Sequence, residues 1–108
     1  MKQLPQHLVY ITPRTCLLTF DVIYLESNRN YTFVYFTNGK RMLLSKTMSV
    51  IFAALPSGQF LRISRTHVIN LHYFRGINHT NETPVALVGK GLQLPVSRRR
   101  LKILNFSA

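Results

Sequence analysis

The stretch Tyr31-Thr32-Phe33-Val34-Tyr35-Phe36-Thr37-Asn38-Gly39-Lys40-Arg41-Met42-Leu43-Leu44 decides the class of this fold. A run of β-branched and aromatic residues meets Asn-Gly, and a second apolar run follows. Asn-Gly between two such runs is the strongest short-range hairpin signal, because both central positions of a tight primed turn need φ > 0. The spacing therefore predicts two antiparallel strands joined at Asn38-Gly39. Upstream, residues 17–25 are equally β-rich and too irregular for one helix face, so they read as a strand, a turn near Asp21 and a second strand. Val9-Tyr10-Ile11 is a shorter apolar run closed by the turn-like Thr12-Pro13-Arg14-Thr15.

Downstream of the hairpin the period changes. Met48, Ile51, Phe52 and Leu55 fall at i, i+3, i+4 and i+7, which predicts a helix of about ten residues capped by Ser45 or Thr47 and ended by Pro56-Ser57-Gly58. Phe60-Leu61-Arg62-Ile63-Ser64 reads as a strand with Leu61 and Ile63 inward. Residues 65–70 fit either a short helix or a turn. Residues 73–77 and 84–88 read as strands around a polar loop at 78–83. A turn at Gly89-Lys90-Gly91 and a strand at 92–96 follow, and Ser97 caps a short helix over Arg98–Leu104 with Leu101 and Leu104 inward. Strands at this spacing with one helix between them make a mainly β domain of short antiparallel sheets, with one mid-chain helix and a short C-terminal helix. The organisation expected is an N-terminal arm at residues 1–8 and one domain over residues 9–108.

A chain of 108 residues is one domain's worth, and 46% hydrophobic residues supply a core. It carries 14 Lys+Arg against 3 Asp+Glu, for a formal net charge of +11 and a pI near 10.8. A folded surface of nearly one sign repels itself and implies a polyanionic partner, a nucleic acid or an anionic membrane surface. The acids are Asp21, Glu26 and Glu82, and none lies between Ser27 and Asn81. Arg29, Lys40, Arg41, Lys46, Arg62, Arg65 and Arg75 fill that span, and Arg98-Arg99-Arg100 with Lys102 form a second cluster.

The same inventory disfavours an enzyme. Asp21 and Glu26 could form a carboxylate pair, but at a strand boundary a turn or salt-bridge role is the better reading. His7, His67, His72 and His79 have no Cys or carboxylate companions at metal-ligand spacing and read as surface or packing residues. Gly89-Lys90-Gly91 lacks the context of a phosphate-binding loop. Cys16 is single, so no intramolecular disulfide forms, and beside Leu17 and Leu18 it reads as a buried small apolar residue. No signal peptide or membrane-spanning run is visible, so a cytoplasmic protein without metal, cofactor or small-molecule substrate is expected. Asn-x-Ser/Thr matches at Asn30, Asn78, Asn81 and Asn105 then count as chance.

Three polar-basic segments remain. Arg62-Ile63-Ser64-Arg65-Thr66 places Arg62 and Ser64 toward solvent and Arg65 where the strand ends. A projecting Arg pairs bidentately with guanine or grips phosphate. It could equally be a salt-bridging strand residue, though acids to pair with are scarce. Ser97-Arg98-Arg99-Arg100 opposes the helix dipole at a helix start, a cost of some tenths of a kcal/mol that a charge with a use would justify. Asn28-Arg29-Asn30-Tyr31 is the third segment, before the Asn-Gly hairpin. A small RNA- or ribosome-associated β protein is the alternative, with Tyr31, Phe33, Tyr35 and Phe36 as rings on which bases could stack. A partner-binding adaptor explains the Arg clusters poorly.

The run Phe60-Leu61-Arg62-Ile63-Ser64-Arg65-Thr66-His67-Val68-Ile69-Asn70-Leu71, followed by Leu94-Pro95-Val96-Ser97-Arg98-Arg99, resembles the LytTR family of bacterial DNA-binding domains. Asp21-Val22-Ile23-Tyr24-Leu25-Glu26-Ser27 and Asn30-Tyr31 are similar to its upstream motifs, and the likeness runs over residues 9–105. The resemblance implies a mostly antiparallel β domain of a bacterial transcriptional regulator. Its loops would read major grooves of double-stranded DNA, on paired direct repeats. It assigns base contacts to Asn30, Arg65 and Arg99, with Arg29, Arg62, Ser64, Thr66, Ser97, Arg98, Arg100 and Lys102 as backbone or supporting contacts. Further partners it implies are a second copy on the adjacent repeat and a separate sensor or membrane regulatory protein. Where the family often has His-Arg-Ser, this chain has Ser64-Arg65-Thr66, which bears on base preference.

Overall fold

The computed structural model describes residues 8–79 and 83–104, the last two by backbone alone. The expected arm falls almost wholly outside the described residues, as do residues 80–82 of the polar loop and the side chain of Leu104. Strands β1 (Leu8–Thr12) and β2 (Thr15–Leu18) form an antiparallel hairpin. A single 3₁₀ turn, Thr19–Asp21, leads into β3 (Val22–Asn28). It is followed by β4 (Tyr31–Phe36), β5 (Arg41–Leu44), helix α1 (Met48–Ala54), β6 (Phe60–Arg62) and β7 (His67–Asn70). Another 3₁₀ turn, Leu71–Tyr73, precedes β8 (Phe74–Asn78), β9 (Val85–Val88), β10 (Leu92–Pro95) and helix α2 (Arg98–Leu104). All pairings are antiparallel. The central sheet runs β5-β4-β3-β7-β6, and a smaller sheet runs β10-β9-β8.

The hairpin predicted around Asn-Gly pairs Tyr35 with Arg41 and Thr32 with Leu44. Its turn differs from the expected one. Gly39 alone is left-handed, at φ 86. The Phe36 N–H bonds the Lys40 carbonyl at 2.9 Å and Asn38 Oδ1 accepts the Lys40 N–H at 2.9 Å. The loop is thus three residues long, a length that needs one left-handed residue rather than two.

Because the central sheet is covered on both faces, it separates two cores. Leu25, Val34, Leu44, Phe60 and Val68 point one way, onto Met48, Ile51 and Leu55 and onto Leu17 of the β1–β2 hairpin. Ile63 and Ile69 point the other way and pack with Ala86, Val88, Leu94 and Val96 of the smaller sheet and its exit. Strand β7 lies where both cores meet and all of its residues are buried. A strand buried on both faces shows no alternation, so residues 65–70 gave no period to read.

Two expectations change for local reasons. Helix α1 has seven residues and stops at Leu55, whose φ −78 and ψ 153 are extended. Leu55 precedes Pro56, and a residue before proline is pushed out of the helical region. Cys16 is exposed, not buried. Strand alternation turns Leu17 into the core, at 2% exposure, and therefore turns Cys16 and Leu18 outward.

Candidate nucleic-acid interface

Strand register brings the basic segments to one end of the central sheet. Asn28 pairs with Tyr31, so Arg29 and Asn30 form a two-residue turn at the far end of β3, a hairpin the sequence had not announced. Arg29 takes φ 59, the positive first position of a primed turn. Glu26 pairs with His67, and the Ser27 N–H bonds the Thr66 carbonyl at 2.8 Å, which sets the loop between β6 and β7 beside that turn. The Ser97 N–H donates to the Ile63 carbonyl at 2.9 Å, so the start of α2 is tied to the same loop. Ile63 is fully buried and roots the loop in the second core. Truncating such a side chain to Ala costs about 2–5 kcal/mol.

Within this end, the polar side chains separate into two groups. Half-buried Arg62 is tied to the protein's own acceptors: Nε donates to the Ser64 carbonyl (3.2 Å), Nη2 to the Arg65 carbonyl (2.9 Å) and Nη1 to Ser49 Oγ (3.2 Å). Ser64 Oγ accepts the N–H groups of Thr66 (3.2 Å) and His67 (3.1 Å), and so shapes the turn itself. Ser97 Oγ accepts the Arg100 N–H at 3.1 Å, the N-cap bond expected of it. Arg62, Ser64 and Ser97 thus hold the backbone, while the Thr66 hydroxyl meets only the side chains of Ser64 and His67. Arg65, Arg98, Arg99 and Arg100 have no side-chain hydrogen bond or ion pair among the described residues. Arg65, Arg98 and Arg99 are exposed, as are Arg29, Asn30 and Lys102.

Arg65 and Arg99 share one cleft of about 420 Å³, lined also by Arg62, Ser64, Ser97 and Arg100. No acidic side chain lines it. Asn30 is outside that lining, on its own turn at the same end. Among the described residues the one contact between an acid and a basic side chain is Glu26 with His67, Oε2 to Nε2 at 3.1 Å, behind the loop. Glu26 thus has a structural hydrogen-bonding role, and the buried His67 is a packing histidine with a polar partner. Ser49, which anchors Arg62 from α1, carried no sequence signal, being 13 residues away on another element.

The described residues contain no cluster of three or more side chains able to hold a metal. No helix is long and apolar enough to cross a membrane. Among curated proteins none matches this sequence. In structure the chain is similar to a domain described as the LytTr DNA-binding domain of a methyl-accepting/DNA response regulator from Bacillus cereus. The TM-score is 0.72 at 19% identity, with 91% of each chain covered. The family described as LytTr DNA-binding domain matches residues 14–106. With the fold, the motifs and this match in agreement, the chain belongs to the LytTR family of DNA-binding domains.

Proposed function

We propose that this domain binds double-stranded DNA sequence-specifically, as a transcriptional regulator whose loops enter the major groove. One observation carries the reading. Arg65 and Arg99, from segments more than thirty positions apart, line one acid-free cleft with their guanidinium groups unpartnered, while their neighbours fix the backbone beneath them. A guanidinium held by its main chain but free at its tip is what bidentate reading of guanine O6 and N7 requires. Asn30, exposed on the adjacent turn, is the third base contact. Arg29, Arg98, Arg100 and Lys102 bind phosphates, and a second copy occupies a neighbouring direct repeat.

Two of the β4 rings, Tyr35 and Phe33, favour duplex over single-stranded binding, while Tyr31 is 48% exposed. The Tyr35 ring stacks on Tyr24 with centroids 4.3 Å apart, and the Arg41 guanidinium lies 4.3 Å over Phe33. These faces are engaged within the sheet, so they offer bases less than free rings would. Selection of sites from a random duplex library at about 0.15 M salt, followed by binding of Arg65→Ala and Arg99→Ala, tests the proposal. Each substitution should cost about 1–3 kcal/mol on the selected site and relax one base position. Equal binding of the wild-type chain to all duplexes would overturn it.

A further inference from the structure

The loop that carries Arg65 is wired to the middle of the sheet. His67 is 8% exposed at the start of β7, and Nε2 lies 3.1 Å from Glu26 Oε2 while Nδ1 lies 3.0 Å from Thr66 Oγ1. The Tyr35 hydroxyl donates to Glu26 Oε1 at 3.1 Å, and Arg41 Nη1 donates to that hydroxyl at 3.3 Å. Thr66 Oγ1 is in turn 3.3 Å from Ser64 Oγ.

Only one arrangement of protons on a neutral ring satisfies both nitrogens. A carboxylate can only accept, so Nε2 carries the hydrogen and donates to Glu26. Nδ1 is then an acceptor of a hydrogen bond donated by the Thr66 hydroxyl, which leaves Thr66 Oγ1 to accept from Ser64. Ser64 Oγ, already accepting two backbone N–H groups, thereby has its own proton directed inward. The ring thus stands between rigid β3 and the two hydroxyls that shape the turn under Arg65.

We infer that His67, with Thr66, is a positioning residue for base reading: it fixes the turn at Ser64-Arg65-Thr66 so that the Arg65 guanidinium meets one base edge in one orientation. This rests on the proposed base contact of Arg65. Neither His67 nor Thr66 touches DNA in this scheme. Misplacing a bidentate donor by a fraction of an ångström spares phosphate attraction, which depends on charge, and removes discrimination, which depends on direction.

The test compares four variants on the selected duplex and on duplexes changed at each position. His67→Phe keeps a ring without nitrogens, Thr66→Val keeps the branched shape without the hydroxyl, and Thr66→Ser keeps the hydroxyl. Arg65→Ala is the control. Thr66 is exposed, so its variants remain folded even where His67→Phe does not. The expected result is about a tenfold loss of discrimination at the Arg65 position for His67→Phe and Thr66→Val, full discrimination for Thr66→Ser, and an unchanged salt slope throughout that trio. If folded Thr66→Val discriminates as wild type does while Arg65→Ala does not, the inference is overturned and the base contact stands. If Arg65→Ala itself discriminates normally, the base contact falls instead.

Discussion

Raising the salt concentration separates phosphate attraction from base reading, and the structure sets the size of the effect. Arg29, Arg98, Arg100 and Lys102 flank the assigned base readers and have no acidic partner among the described residues. If each neutralises one phosphate, log K should fall with log[salt] with a slope of about −3.6, and about −5.4 if Arg65 and Arg99 also count. Between about 50 and 200 mM salt, affinity should then drop roughly 150- to 1,800-fold. Fluorescence anisotropy of a labelled duplex, titrated at four or five salt concentrations, measures the slope directly. Arg98→Ala should flatten it by about 0.9 and leave base preference alone. Arg62→Ala should behave differently, because that guanidinium is spent on two loop carbonyls and Ser49. Its loss should blur base preference more than it changes the slope. A wild-type slope flatter than about −2 would refute the assignment of these cations to phosphates.

Arg29→Asn should raise stability by about 0.5–1 kcal/mol, since a bulky residue at φ 59 is strained where Asn is tolerated, and an unchanged urea midpoint would count against that strain. Asn70 is 4% exposed; Nδ2 donates to the carbonyls of Thr19 (3.0 Å) and Val22 (2.8 Å), and Oδ1 accepts the His72 N–H (2.9 Å). Asn70→Ala leaves those three groups without their partner, so urea unfolding should show a loss of about 3 kcal/mol; a loss under about 1 would mean the groups find other partners. Burial, with Tyr35 and Glu26 beside it, pushes the Tyr24 hydroxyl up from 10.0 to about 12. The unfolded chain gives up that proton first, so the stability tied to neutral Tyr24 is complete below pH 10 and is lost as pH rises from 10 to about 12. Tyr24→Phe should flatten that alkaline decline, and identical pH profiles for both chains would contradict it.

Where a residue's neighbours in sequence are also its neighbours in space, the fold could be read in advance. The Asn-Gly hairpin, the break at Asp21, the Ser97 cap and the basic segments all depend on contacts within a few residues. Strand β7 could not be read, because it is covered by two cores assembled from opposite ends of the chain. The length of α1 was misjudged because its apolar period continues to Leu55 while the backbone obeys Pro56. At the interface, spacing marked Arg65 and Arg99 but could not distinguish their role from that of Arg62. Arg62 and Ser49 meet only because the fold brings α1 within reach of β6, and Glu26 and His67 only through β3–β7 register.

The scarcity of acids is then also a structural requirement met by other means. A loop proposed to read bases must be held as firmly as a helix would be, and the usual anchor for an arginine is a carboxylate. Here Arg62 is anchored by carbonyls and a hydroxyl, which accept its protons and leave its positive charge in place. A carboxylate in the position of Ser49 would bind it more strongly and place a negative charge beside the cleft proposed to meet DNA. The single acid in the supporting network, Glu26, sits on the far side of His67 and is matched there. Loop order and a one-signed field can therefore coexist in 108 residues, because neutral acceptors fix the loop and the one carboxylate is kept a residue's width away from it.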